Sequence, residues 1–101
     1  GYSVVDMFCG HGVGKVFHDE PNVMHCGVKG TGPIMEEGMI FTIEPMINMG
    51  KKDGVILSNG WTAVTCDHAW SAQFEHSMGV TKDGVEVFTY SPKGMDKPPY
   101  K

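Results

Sequence analysis

Hydrophobic and polar positions alternate along this chain in short runs, and no run holds the i, i+3, i+4 spacing of a long amphipathic helix. Residues 2–9 (YSVVDMFC) are apolar and rich in β-branched and aromatic types, which predicts a buried strand. Glycines at 10, 12 and 14 follow at once. Residues 17–21 read as a loop or short turn, because Pro21 and Asn22 break regular structure. Residues 26–38 are rich in turn formers. Residues 39–46 (MIFTIEPM) predict the next strand, closing at Pro45, which has no amide to give a ladder. Strict alternation would send Phe41, Ile43 and Pro45 to one face and Thr42, Glu44 and Met46 to the other. Residues 51–59 predict an exposed turn and a short strand, and residues 61–65 a further strand. Residues 71–80 and 85–90 flank Lys82-Asp83-Gly84, a strong hairpin signal.

The elements thus number about five strands with turns rich in glycine and proline. A β-rich sheet with no helix to cover one face looks incomplete as a layered domain. The chain also opens on Gly1, so it reads as processed or cut from a longer protein.

Composition narrows the function classes. The 101 residues are 41% hydrophobic and 20% charged, the balance of one small globular domain. No apolar run approaches the ~20 residues that span a bilayer, which excludes a transmembrane helix from the expectations. The net charge is −4 and the basic residues are all lysine, so no basic, arginine-bearing face for nucleic acid is expected. Cys9, Cys26 and Cys66 form no CxxC pair, which argues against a disulfide framework and for a reducing, cytoplasmic compartment.

Three phrases carry candidate chemistry. Gly10-His11-Gly12 sets an imidazole between residues that let the backbone approach closely. Phe41-Thr42-Ile43-Glu44-Pro45 and Gln73-Phe74-Glu75-His76 each set a glutamate in an apolar β-run. Burying a carboxylate there is costly unless it is paired or bound to a metal. One histidine with two carboxylates is a donor set suited to Mn, Fe, Co or Zn. Taken singly, each phrase is matched by a bland alternative: a surface histidine in a turn, or a glutamate on the wet side of a strand. Taken together, they favour a metal site.

In order and spacing, the runs FCGHGVGKVFHDEPNVMH, MIFTIEPMIN, WTAV and SAQFEHS resemble the C-terminal half of the type I methionine aminopeptidases, from residue 1 to about 90. The resemblance implies an α+β pita-bread (creatinase/aminopeptidase-like) fold, of which this chain would supply the β-rich C-terminal half. Residues 1–90 would be catalytic-domain sequence and 91–101 a flexible tail. It implies removal of the initiator methionine from nascent proteins and peptides, with two divalent ions (Co, Mn, Fe or Zn) supplying metal-bound hydroxide. His11, Glu44 and Glu75 match metal ligands, with Glu75 bridging the ions and Glu44 a candidate proton carrier. His18 matches the histidine that contacts the scissile peptide. Phe17 and Trp61 match walls of the methionine pocket, with Met46 and Cys9 nearby. The implied partners are a peptide bearing N-terminal methionine and the ribosome.

Some positions depart from the family pattern. Two aspartate ligands and a second active-site histidine belong to sequence that precedes this stretch in the family. Lys15 and Ser77 stand where arginine and threonine are common. Asp67-His68-Ala69-Trp70 adds a bulky aromatic before the last motif. His25, His68 and His76 stay outside the expected ligand set. The competing readings are a fragment or binding module with the fold but no catalysis, and a related peptidase that cleaves next to proline. Phe17-His18 and the phrase at 71–76 argue against the latter.

Overall fold

The computed structural model describes residues 1–100, and Lys101, the last residue of the expected tail, lies outside the described residues. Ten short strands form three antiparallel sheets: β1 (Ser3–Val4), β2 (Gly10–Gly12), β3 (Asp19–Val23), β4 (Ile40–Ile43), β5 (Met46–Asn48), β6 (Gly54–Ile56), β7 (Ala63–Thr65), β8 (Ser71–Gln73), β9 (His76–Thr81) and β10 (Gly84–Val87). The largest sheet runs β10-β9-β4-β2-β3, a second runs β1-β5-β8, and β6 pairs with β7. Among the described residues there is no helix, and so none long and apolar enough to cross a membrane.

Each long predicted strand is broken into shorter ones. The run at 39–46 is two strands: β4 belongs to the five-stranded sheet, and β5 to the three-stranded one. The run at 71–80 breaks in the same way into β8 and β9. The two breaks lie opposite each other, because β4 pairs with β9 (Ile43↔His76) and β5 with β8 (Met46↔Gln73). A two-stranded ribbon therefore crosses from one sheet to the other, with Glu44-Pro45 facing Phe74-Glu75 at the crossover. Each break falls on a step of mixed character, Glu44-Pro45 and Phe74-Glu75, that alternation alone does not separate from a continuous strand.

The predicted strand at 2–9 is mostly irregular; β1 covers two of its residues and the next strand begins at Gly10. The predicted loop around Pro21 is instead β3, the edge of the large sheet. An edge strand tolerates proline because its outer amides need no partner. A register shift between His11 and Gly12 adds two residues to the β3 side, Glu20 and Pro21. The hairpin at Lys82-Asp83 forms as expected, with Thr81 paired to Gly84.

Gly10 and Gly12 are required by close approach. A Cβ on Gly10 would collide with the Thr42 carbonyl, and one on Gly12 with the Glu20 carbonyl. The GHG phrase is thus a place where β2 is pressed between β3 and β4, with the histidine projecting from the opposite side.

The Asp67–Trp70 stretch now has a structural account. The Asp67 carboxylate accepts the Lys51 N–H at 2.7 Å and the Ala69 N–H at 3.1 Å. These bonds hold its pKa below the usual carboxylate value, the Lys51 amide first. The Thr65 hydroxyl donates to the Ala69 carbonyl, His68 takes a left-handed φ of 59°, and the Trp70 carbonyl accepts the Met49 N–H. The stretch is a turn that ties β7 and β8 to the loop after β5.

Candidate metal centre

His11, Thr42 and Glu44 share one face of the large sheet for reasons of register. Gly12 pairs with Phe41, so His11 lies across from Thr42, and its N–H donates to the Thr42 hydroxyl at 3.0 Å. Two residues beyond Thr42, just past the end of β4 and on the same side by alternation, comes Glu44. Across the crossover the constant register puts Glu75 beside Glu44. One ligand atom from each of His11, Glu44 and Glu75 falls within 4.8 Å of the others, the spacing that lets a single cation bind all three. His11 is buried, Glu44 half-buried and Glu75 exposed.

The donor set also has the right polarity. His11 Nδ1 lies 2.9 Å from the Gly12 carbonyl, which can only accept, so Nδ1 carries the proton. That leaves Nε2 as the free ring nitrogen, 3.9 Å from Glu44 Oε1. A backbone carbonyl fixing the far nitrogen is the usual arrangement behind a metal-binding histidine. Burial, and then the adjacent Glu75 carboxylate, push the Glu44 pKa up, while His11 opposes them. Two carboxylates held this close repel one another, and a divalent ion between them relieves the repulsion. The residues therefore fit a hard or borderline divalent cation.

This strain has a testable sign. With a raised pKa in the folded state, Glu44 keeps its proton over a pH range where the unfolded chain has lost it. In the metal-free protein its contribution to stability is therefore at its most favourable below the ordinary carboxylate pKa and declines as pH rises through the window up to the raised value. Glu44→Gln is expected to remove that decline, raising metal-free stability at neutral pH while weakening metal binding. Denaturant midpoints of the metal-free protein from pH 4 to 8 check it; an unchanged pH profile would show that Glu44 carries no such penalty.

His18 and Phe17 stand next to the ligands without joining them. The His18 ring sits edge-on to His11 at 4.4 Å between centroids, and Phe17 lies 4.5 Å from His18 and 5.8 Å from His11. Phe17 is 70% exposed, an apolar wall open on its far side. Met46 follows Glu44 by two residues on the same side of the ribbon, and Cys9 immediately precedes β2; both are half-buried. Trp61 is not brought into this ring cluster. It stands 83% exposed on the β6–β7 turn, its N–H bound to the Asn59 side chain.

Two supporting residues were not expected. Thr42, 2% exposed, holds the His11 backbone as described. His25 stays outside the ligand cluster, but its Nε2 accepts the Glu44 N–H at 3.0 Å. Burial lowers the His25 pKa, in keeping with a neutral ring that accepts at Nε2. The signal for Thr42 was its place two residues before Glu44; nothing in the spacing pointed to the His25–Glu44 contact.

The model of metallopeptidase family M24 matches residues 1–82. The chain is 56% identical over 100 residues to a methionine aminopeptidase of Rickettsia prowazekii, covering 98% of this chain and 39% of that protein. It is 48% identical over 89 residues to the methionine aminopeptidase of Escherichia coli K12, covering 88% of this chain and 34% of that protein. Among solved structures, the R. prowazekii methionine aminopeptidase superposes with a TM-score of 0.84 at 55% identity, over 87% of this chain and 36% of that one. The Thermotoga maritima enzyme superposes with 0.82 at 40% identity, over 86% and 35%. The chain thus spans less than two fifths of the length of these relatives.

Proposed function

Because this chain belongs to metallopeptidase family M24 and carries the β-rich half of its pita-bread fold, we propose that it forms part of an aminopeptidase that removes N-terminal methionine from peptides and nascent proteins. The observation behind this reading is the convergence of His11, Glu44 and Glu75 within 4.8 Å, with His11 Nε2 free.

The family works with divalent metal ions. In this proposal His11, Glu44 and Glu75 would hold divalent ions of Co, Mn, Fe or Zn, two by the family resemblance, with Glu75 as the ligand that resemblance makes common to both and with further ligands from outside residues 1–100. When bound, such ions polarise a carbonyl and bring the pKa of a water molecule to about 7. The chain's own residues supply the rest. The His18 imidazole, next to the ligands but not among them, hydrogen-bonds the peptide at the bond to be cut and steadies the charge that develops on its oxygen. Glu44 would carry a proton between water and the leaving amine. Phe17 forms one apolar wall for the methionine side chain, a flexible thioether suited to a loosely shaped pocket. Met46, Cys9 and Trp61 are the remaining candidates for its lining. Such substrates arise at the ribosome, in the cytoplasm.

An apolar pocket closed around one side chain limits the bulk of the residue that follows it. The intact protein is expected to cleave Met-Ala peptides far faster than Met-Phe peptides. Parallel kcat/KM measurements on the two decide the matter: equal values would remove the pocket, and no cleavage of either would remove the aminopeptidase reading.

A further inference from the structure

Glu75 is the exposed member of the carboxylate pair, yet it has to keep its place opposite Glu44 at a break between two strands. The residues on either side of it, Phe74 and His76, point by alternation to the other face of the ribbon. Both are met there by the C-terminal segment. The Tyr100 ring lies nearly parallel to Phe74, with an interplanar angle of 10° and centroids 6.4 Å apart. His76 has three neighbours there, one of them a hydrogen-bond partner. Its Nδ1 pairs with the Thr89 hydroxyl at 2.8 Å, the Tyr90 ring stands edge-on to it at 5.4 Å, and Asp96 Oδ1 lies 3.9 Å from its Nε2. The Thr89 hydroxyl also accepts the Ser77 N–H at 3.1 Å.

The segment between these contacts is internally tied. Asp96 accepts the Ser91 N–H at 2.7 Å, the Ser91 hydroxyl accepts the Lys93 N–H, and the Ser91 carbonyl accepts the Gly94 N–H. A turn built this way returns the chain to the ribbon, so that Asp96 reaches His76 and Tyr100 reaches Phe74.

We propose that residues 91–100 are a positioning strap for the metal site, with Tyr100 against Phe74 and the turn at Asp96 lying beside His76, steadying the backbone on both sides of Glu75 from behind. The strap touches neither substrate nor ion; it acts through Glu75. This rests on the reading of His11, Glu44 and Glu75 as metal ligands, and it goes beyond that reading in assigning a role to sequence outside the M24 match at 1–82.

The test is Mn²⁺ binding by calorimetry in the intact, metal-stripped protein, which does not depend on turnover. Tyr100→Ala is expected to weaken Mn²⁺ binding about three- to tenfold, the range of one lost aromatic pair. Tyr100→Phe, which keeps the stacked ring, is expected to bind like the parent, and a general loss of packing would not show this rescue. Truncation after Tyr90 is expected to weaken binding about tenfold or more, as loss of supporting groups around metal ligands does. Parental affinity in Tyr100→Ala would overturn the strap, and so would equal weakening in Tyr100→Phe. Glu75→Gln serves as the separate check on the ligand reading: parental Mn²⁺ affinity there would remove the metal site itself, and the strap with it. Loss of affinity in Glu75→Gln with none in Tyr100→Ala would overturn the strap alone.

Discussion

Replacing His18 with alanine in the intact protein is expected to lower kcat about 100- to 1,000-fold, the usual loss when one donor to a developing oxyanion is removed. Metal content should stay near parental, because the ring packs edge-on against His11 but supplies none of the three clustered ligand atoms. KM should change much less than kcat, the signature of an interaction made mainly in the transition state. Metal analysis beside steady-state kinetics gives the answer. Loss of metal along with activity would make His18 a ligand or a support for His11 instead.

The second large effect concerns folding. Gly12→Ala would drive a Cβ into the carbonyl of Glu20, and both partners are backbone atoms of paired strands, so neither can swing aside as a flexible side chain would. Relief requires β2 and β3 to separate at the register shift. The expected loss is at least about 3 kcal/mol, the upper range for overpacking. Gly14→Ala two residues later is the internal control, since a Cβ there meets nothing within 4 Å. Denaturant midpoints for the two variants should differ widely; similar midpoints would show that the strands can give way.

The chemistry of the site was more legible in the sequence than its architecture. His11, Glu44 and Glu75 stood out because a histidine between glycines and two glutamates in apolar runs are each awkward without a partner. Alternation even put Thr42 on the side of Glu44, where its hydroxyl meets the His11 amide. What alternation could not give was pairing. That Glu44 faces Glu75 depends on which strands are neighbours, a long-range fact no local pattern carries. The breaks at 44–45 and 74–75 have a related cause: a strand that changes partners at a crossover keeps its own alternation, so the exchange of pairing leaves no local mark. Pro21 misled in the opposite direction, because its missing amide counts against a strand only where a neighbour would use it. His25 was passed over because its partner is a backbone amide, which looks the same at every position in a sequence.

The crossover ribbon also sets where this chain can change length during divergence. Deleting or inserting one residue between β4 and β5 would turn either Glu44 or the strand beyond it to the wrong face, since side-chain direction reverses with each step. The same holds between β8 and β9. Between β5 and β8 the constraint lapses. There the chain makes an excursion through β6 and β7, which pair with each other and belong to neither of the sheets joined by the ribbon. Extra loop residues cost little entropy, so that excursion can absorb them at its tip. Insertions and deletions among descendants of this sequence should therefore gather near residues 57–62 and be absent from 43–46 and 73–76, a pattern set by hydrogen-bond register before any selection on catalysis.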